Sequence, residues 1–310
     1  MKKKLCADLL KEFKEKNSEK VFKTDKIRFE NVDGRDVYNI TAPFKSAGKI
    51  VIAGRVEGRK TEYADVVFFE EKDEKWYPIE GACTFKLQDP FFTKIGGELI
   101  LGGVEIYPDP DNTKALAWRT IYYRGADIFS LEKFAKGPNR MKDLRLVELA
   151  NGKIGIFTRP QGKKGGRGSI GYIEMEKLDD LTDRLVNSAP LFDHFYTEEW
   201  GGGNEVHLLK NGKLGVLSHV AYFDADEIVR HYYPTVFCFD PKTKEYTEME
   251  LIGYRDLFKP GVAKRYDLED VVFSGGLVRK PNGKAVLYAG IGDAEAHWIE
   301  IDDPFIKWEK

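Results

Sequence analysis

The sequence predicts an all-β fold, a five-bladed β-propeller preceded by a short N-terminal helix. Two observations carry the prediction. Beyond residue 20 the chain is written in short β-branched and aromatic runs cut by Gly, Asn, Asp and Pro, the texture of strands joined by tight turns. One short turn dipeptide also recurs between apolar runs: Ala47-Gly48, Gly96-Gly97, Asn151-Gly152, Asn211-Gly212 and Asn282-Gly283. Each permits the positive φ angles of a two-residue hairpin. Each is followed by an alternating strand: 49–55, 98–104, 153–159, 213–219 and 284–290. Successive turn glycines lie 49, 55, 60 and 71 residues apart, near the size of a four-stranded blade with its loops. A β-sandwich or mixed barrel also contains Asn-Gly turns; it is the recurrence that favours a propeller.

The helix is read from Leu9, Leu10 and Phe13, spaced on one face among lysines and glutamates. This divides the chain into an N-terminal helix, 1–20, and a propeller domain, 21–310. The opening Met-Lys-Lys-Lys is not followed by an apolar h-region, since Asp8 interrupts it and charges follow. With 310 residues and no long apolar run, the chain reads as a soluble cytoplasmic protein without a membrane partner. Its formal net charge of −2, with mixed signs throughout, argues against a nucleic-acid partner. Cys6, Cys83 and Cys238 have no spacing that suggests a disulfide framework or a zinc site. Oligomeric state is not legible.

The repeat also says where a site would form. The first strand of each hairpin begins eight or nine residues before the turn glycine, at Asn39, Asp89, Asp143, Asn204 and Gly275. Innermost strands line a propeller's axial channel, so these four polar residues would converge on one funnel. Seven residues beyond the turn glycines stand Arg55, Val104, Arg159, His219 and Gly290, which adds cations and an imidazole. Asn and Asp at strand starts often merely satisfy loop backbone. Several ionisable groups buried at one axis, however, are costly unless they serve a ligand.

Carboxylates with many hydrogen-bonding neighbours suit glycosyl transfer, which needs a proton donor for the leaving oxygen and partners for hydroxyls. Asp89, in Gln88-Asp89-Pro90, is the candidate acid, with Asp143 and Asp293 as rivals. Lys142, Arg159 and His219 would suit an anion such as phosphate; an ion pair with Asp143 or a solvated strand end explains the two cations equally well. Among the aromatics between hairpins, Trp200 is expected at the pocket rim, and Gly162 to Gly168, with Lys163, Lys164 and Arg167, reads as a basic loop beside the funnel. Gly201-Gly202-Gly203 lacks the Lys-Ser/Thr and helix of a nucleotide loop.

Several segments, in order, resemble glycoside hydrolase family 130, the inverting mannoside phosphorylases: Asn39 to Glu57 with Arg55-Val56-Glu57; Asp89-Pro90 with Thr93 and Gly97; Lys142-Asp143 followed by Thr158-Arg159-Pro160; Ser218-His219-Val220; and Leu287-Tyr288-Ala289-Gly290 leading to Asp293. The overall texture is more similar to the related glycosyltransferase family 108, the mannosyltransferase/phosphorylases of β-1,2-mannan. The resemblance implies a five-bladed propeller, no metal or other cofactor, inorganic phosphate as co-substrate and a manno-oligosaccharide as substrate. It implies that Asp89 is the general acid, acting through a sugar hydroxyl. Lys142, Arg159 and His219 would hold phosphate, while Asn39, Arg55, Asp143 and Asp293 would contact the mannosyl unit, as Asn204 also would by its repeat position.

One departure stands out. Family 130 carries Glu-Asp-Pro-Arg where this chain has Gln88-Asp89-Pro90-Phe91; Arg119 or Arg124 on the next strand would be the replacement cation. Without an anion site, water or another sugar hydroxyl would be the acceptor, giving a glycosidase or a transglycosylase. No basic cleft for a nucleotide-sugar donor is legible. A non-catalytic carbohydrate-binding propeller is the alternative from a different class.

Overall fold

The computed structural model describes residues 3–310. It is built almost wholly of antiparallel β-strands in a propeller-like arrangement. Helix α1, Cys6–Lys16, matches the amphipathic face read from the sequence: Leu9 is buried, and Leu10 and Phe13 pack with it against Val220, Met249 and Leu251. Strand β1, Thr24–Lys26, then pairs with the last strand of the chain, Thr24 opposite Ile299.

The first sheet holds β2 (Asp36–Tyr38), β3 (Phe44–Ser46), β4 (Lys49–Glu57), β5 (Ala64–Lys72) and β6 (Lys75–Pro78). The second holds β7 (Gln88–Ile95), β8 (Glu98–Asp109), β9 (Asn112–Gly125) and β10 (Glu132–Lys136). The third has three strands, β11 (Arg145–Glu148), β12 (Ile154–Thr158) and β13 (Gly171–Met175). The remaining strands are β14 (Trp200–Leu208), β15 (Leu214–Phe223), β16 (Arg230–Phe239), β17 (Glu250–Leu251), β18 (Asp270–Arg279), β19 (Lys284–Ile291) and β20 (Glu295–Asp302). With β1 they form one sheet, because β16 and β18 are joined by a two-residue parallel pairing, His231 with Asp270 and Tyr232 with Val271. The first strands of successive hairpins are neighbours, β7 beside β11, β11 beside β14 and β14 beside β18. The sheets close on themselves where β2 meets β19 and β20.

All five expected hairpins are present, but in two turn types. Ala47-Gly48 and Gly96-Gly97 have both residues at positive φ and close two-residue loops, as a type I′ turn requires. In the other three only the glycine is at positive φ, at 81°, 80° and 78° for Gly152, Gly212 and Gly283. There the loop is closed one residue further out, Leu149 with Lys153, Leu209 with Lys213 and Lys280 with Lys284. These are three-residue loops with a left-handed glycine. Asn serves them through its side chain, Oδ1 accepting from the amide two residues on in each case, and it does not itself need a positive φ.

The inner strands carry the feature that shapes the site. Ladder pairing skips Asp89-Pro90 in β7, Asn204 in β14 and Gly275 in β18, so a bulge falls at the repeat position in three hairpins. Gly275 is where the last hairpin docks on the first: a methyl group added there would come within 1.8 Å of the Ile40 carbonyl oxygen. Gly275→Ala is therefore expected to destabilise the protein by about 3 kcal/mol, lowering Tm by roughly 5–10 °C in a thermal melt. An unchanged Tm would contradict this closure.

Candidate active site

Four of the residues singled out by sequence, Asn39, Asp89, Asp143 and Asp293, have left-handed backbones, with φ of 44°, 48°, 58° and 51°. That conformation costs L-residues free energy, and Asn and Asp tolerate it best. Strain of this kind repeated around one axis is characteristic of functional sites. Close approach is also provided for. A methyl group at Gly290 would lie 1.9 Å from Asn39 Oδ1, and one at Gly202 would lie 2.8 Å from Arg159 Cδ and 3.0 Å from Asp143. Both positions therefore need glycine for the polar groups to meet.

The result is an inner cavity of about 200 Å3 at the mouth of the axis. Asn39, Arg55, Asp89, Lys142, Asp143, Arg159, His219 and Asp293 all line it. Asn204 does not line it: it stands behind His219, its Oδ1 2.7 Å from His219 Nδ1. Its bulge therefore places it as a support of the imidazole, which corrects the expectation of direct substrate contact.

Arg55 organises one half of the cavity. Its Nε and Nη2 donate to Glu57 Oε2, the former at 2.7 Å, and its Nη1 donates to Asp89 Oδ1 at 3.0 Å. Asn39 Nδ2 donates to the same Asp89 oxygen at 2.8 Å. Glu57 is in turn held by Tyr38 Oη at 3.0 Å and by Lys264 Nζ. Burial alone would raise the Asp89 carboxyl, but Arg55, Lys142 and the Asn39 amide outweigh it and hold the group below the ordinary carboxylate range. Asp293 is displaced the other way. Loss of water raises it, Arg55 opposes, and the Asp89 charge raises it further.

The other half collects cations. Arg159 donates from Nε to the Gly201 carbonyl at 2.8 Å and lies 3.4 Å from Asp143 Oδ2, while its Nη1 is buried without a partner. Lys142 lines the cavity and makes no ion pair among the described residues. So Asp143 pairs with Arg159, and Lys142 lines the cavity unpaired. His219 is fully buried, which drives its pKa down to about 3 with Arg159 and Lys142 adding to the effect of burial and Asp143 opposing it. Its imidazole is neutral, and with the Asn204 amide turned to present Oδ1, which can only accept, the tautomer that completes this contact has the proton on Nδ1 and a lone pair on Nε2.

Neither Arg119 nor Arg124 replaces the arginine missing after Pro90. Arg119 pairs with Glu105 at 2.6 Å and Arg124 lies over the Phe134 ring. Phe91, in the vacated position, supports the buried guanidinium of Arg145, 3.7 Å above its ring. Arg145 donates to the Asn204 carbonyl at 2.6 Å. The cavity's further cations, besides Arg55, Lys142 and Arg159, are Arg230 and Arg265, one from β16 and one from the connection between β17 and β18. Neither occupies a repeat position, which is why the hairpin alignment passes over them. Glu62 and Phe273 were likewise missed as cavity residues, whereas Tyr232 is one of the aromatics between hairpins on which a sugar could stack.

A second compartment of about 540 Å3 adjoins the first, sharing Gln88, Lys142, Arg159, Arg230 and Tyr232. Trp200 forms one wall, as expected of a rim residue, with Trp118, Phe223 and Tyr232. Of the expected basic loop, Arg167 reaches this compartment, whereas Lys164 turns away to the Ala189 carbonyl at 2.7 Å. Its lining contains four cations and no carboxylate. A basic, aromatic cleft therefore exists, contrary to the reading from sequence.

Residues 12–307 match the family described as DUF1861, protein of unknown function. No curated protein matches the sequence. Among solved structures, MPT-4, a mannose phosphorylase from Leishmania mexicana in complex with a phosphate ion, is 34% identical, with a TM-score of 0.87 over 96% of this chain and 93% of that one. MPT-1, a GDP-Man-dependent mannosyltransferase from the same organism, is 34% identical, with a TM-score of 0.86 over 97% and 95% of the two chains. The β-1,2-mannobiose phosphorylase of Listeria innocua, 16% identical with a TM-score of 0.61 over 92% of each chain, shares the fold. This chain belongs to the DUF1861 family and groups with the glycosyltransferase family 108 mannosyltransferase/phosphorylases, whose wider structural relatives include the family 130 mannoside phosphorylases.

Proposed function

We propose that this protein is a five-bladed propeller enzyme that phosphorolyses β-1,2-linked manno-oligosaccharides with inversion, and in reverse extends them from mannose 1-phosphate. The observation that carries the reading is the division of the inner cavity. Asp89, held by Arg55 and Asn39, faces an unpaired Lys142 and a free Arg159 Nη1, so a proton-transfer group and an anion site address one small space. The similarity to a phosphate-bound mannose phosphorylase supports it. The propeller body and its N-terminal helix act as one catalytic unit.

In phosphorolysis a phosphate oxygen, held by Lys142 and Arg159, bonds to the anomeric carbon. The glycosidic C1–O bond breaks on the opposite face, and the departing oxygen takes the proton supplied by Asp89 through a sugar hydroxyl. The product is α-mannose 1-phosphate. Read in reverse, the Asp89 carboxylate removes the proton of the acceptor hydroxyl as phosphate leaves. In the resting site Asp89 is ionised, so the free enzyme stands ready for synthesis, and phosphorolysis requires prior proton loading. Asn39, Arg55, Asp143 and Asp293 line the same cavity and would contact the mannosyl unit, Asp143 at its border with the anion site beside Arg159.

The outer compartment favours a second reading of the donor. Its four cations without a carboxylate, beside two tryptophans, suit a nucleoside diphosphate, and a similar protein is a GDP-Man-dependent mannosyltransferase. On this reading the leaving group is the diphosphate.

The test is donor use. Mannose 1-phosphate and GDP-mannose are offered separately with a β-1,2-mannobiose acceptor, and oligosaccharide products are followed by chromatography. Extension with phosphate release from mannose 1-phosphate supports the phosphorylase, extension from GDP-mannose alone supports the transferase, and no extension from either rejects both. Asp89→Asn is expected to reduce turnover by at least about 1000-fold with folding intact, since Arg55 keeps Glu57; retained turnover would remove Asp89 from its role. A depressed folded-state pKa means that the carboxylate is fully present above the ordinary value near 3.8 and is lost only as pH falls through the lower one. The synthetic kcat/KM, corrected for ionisation of mannose 1-phosphate, is therefore expected to show no Asp89-dependent limb between pH 5 and 8. A limb near pH 6–7 that disappears in Asp89→Asn would contradict the ionised resting state.

A further inference from the structure

The anion half of the inner cavity contains acceptors as well as cations, and simple charge attraction does not call for them. Lys142 and the unpartnered Arg159 Nη1 provide donors. Beside them stand two groups that can only accept. Asp143 is a carboxylate whose Oδ1 takes no hydrogen bond, kept ionised against its burial chiefly by Arg159 and Lys142, with Arg145 adding to them. His219 has its Nδ1 engaged by Asn204 Oδ1 at 2.7 Å, and Nε2 has no partner among the described residues.

Several contacts fix the imidazole in this state. Asn204 sits in the bulge of β14, and Arg145 clamps its backbone carbonyl at 2.6 Å. The His219 ring lies against Tyr232, with centroids 5.6 Å apart and planes inclined by 24°, and within 5.8 Å of Phe273. Among the described residues the ring's hydrogen bond is to Asn204, and none of the charged or titratable groups lining the cavity with it, Arg55, Glu62, Asp89, Lys142, Asp143, Arg159, Arg230, Tyr232, Arg265 and Asp293, bonds either ring nitrogen. Burial and the cations Arg159 and Lys142 oppose protonation of Nε2, against the pull of Asp143.

We propose that this pocket reads a proton on its anion: Lys142 and Arg159 bind the charge, while His219 Nε2 and Asp143 accept a hydrogen bond that only an oxyanion bearing an O–H group can donate. Hydrogen phosphate and hydrogen arsenate fit. Sulfate has the same double charge at neutral pH and no proton, so its oxygens face lone pairs. The selectivity rests on the phosphorolysis reading and adds what that reading leaves open, the basis on which phosphate is chosen over the similarly sized and charged sulfate. Tetrahedral shape and charge are common to both ions, so the discrimination resides in one hydrogen bond.

The experiment compares phosphate, arsenate and sulfate binding to the full-length protein by calorimetry at pH 7.5 and constant ionic strength, with 15N NMR of the histidine side chains. Phosphate and arsenate should bind within a few-fold of each other, and sulfate roughly 10- to 100-fold more weakly, the range expected when two acceptors are forced together. The His219 spectrum should show Nδ1 protonated and Nε2 bare. In His219→Gln, whose amide can turn a donor toward the ion, the phosphate-to-sulfate ratio should shrink toward unity with Tm near that of the native protein. If that variant fails to fold, the native binding ratio and the NMR tautomer decide the matter. Sulfate binding as tightly as phosphate, or a protonated Nε2, overturns this inference while leaving phosphorolysis standing. Absence of phosphate binding overturns both.

Discussion

The buried guanidinium of Arg55 is the contact on which the site depends. It is divided between Glu57, which takes Nε and Nη2, and Asp89, which takes Nη1. A buried arginine without partners would be untenable, and a buried carboxylate likewise. Together, with Asn39 and Tyr38 as further donors to the two carboxylates, they form a charged assembly that fixes where one oxygen of Asp89 lies and that it is ionised. Glu57 extends the assembly to Lys264, which also donates to the Thr61 carbonyl at 2.8 Å. The long connection before β18 is thereby tied to the first sheet, and Arg265 and Leu268 from that connection complete the cavity wall.

The backbone is strained to suit this arrangement. Four non-glycine residues at positive φ, each costing about 1 kcal/mol, surround a cavity that two glycines keep open for close approach. The core supplies the opposing stability through aromatic and aliphatic clusters between adjacent sheets. Asp89 and Asp293, in the same cavity, are shifted in opposite directions because Arg55 and Asn39 contact only the former. Separation of two carboxyls in this way is how a single site can hold one group ionised while a neighbour resists ionisation.

Much of this was legible because the hairpin repeats. The turn glycines are dictated by backbone geometry, so aligning them aligned the inner strands and exposed Asn39, Asp89, Asp143, Arg55, Arg159 and His219 as a set. Their residue types also carried the left-handed signal: Asn and Asp are what a strained position accepts when a polar side chain is wanted there. The alignment assumed one turn type, whereas three loops are longer by a residue. That difference is absorbed before the strand and left the inner positions in register. Asn204 was assigned to the cavity because the alignment gives position and not depth; its bulge sets it one layer behind His219. Arg230 and Arg265 were not legible as site residues, since they arrive from a third strand and a long connection where nothing repeats. The cation expected to replace the lost arginine was sought on β9, the adjacent strand, but strand alternation points Arg119 and Arg124 to Glu105 and Phe134. The basic cleft went unseen because Lys142, Arg159, Arg167 and Arg230 come from separate segments of a chain whose overall charge is nearly balanced.

The central claim is that an Asp89 proton-transfer group and a phosphate pocket act on one β-mannosidic bond. It is tested most directly by following β-1,2-mannobiose with orthophosphate by 1H and 31P NMR in real time. The account predicts phosphate-dependent appearance of α-mannose 1-phosphate together with one equivalent of free mannose. Release of mannose at the same rate without phosphate, or formation of the β-anomer of the sugar phosphate, would contradict it.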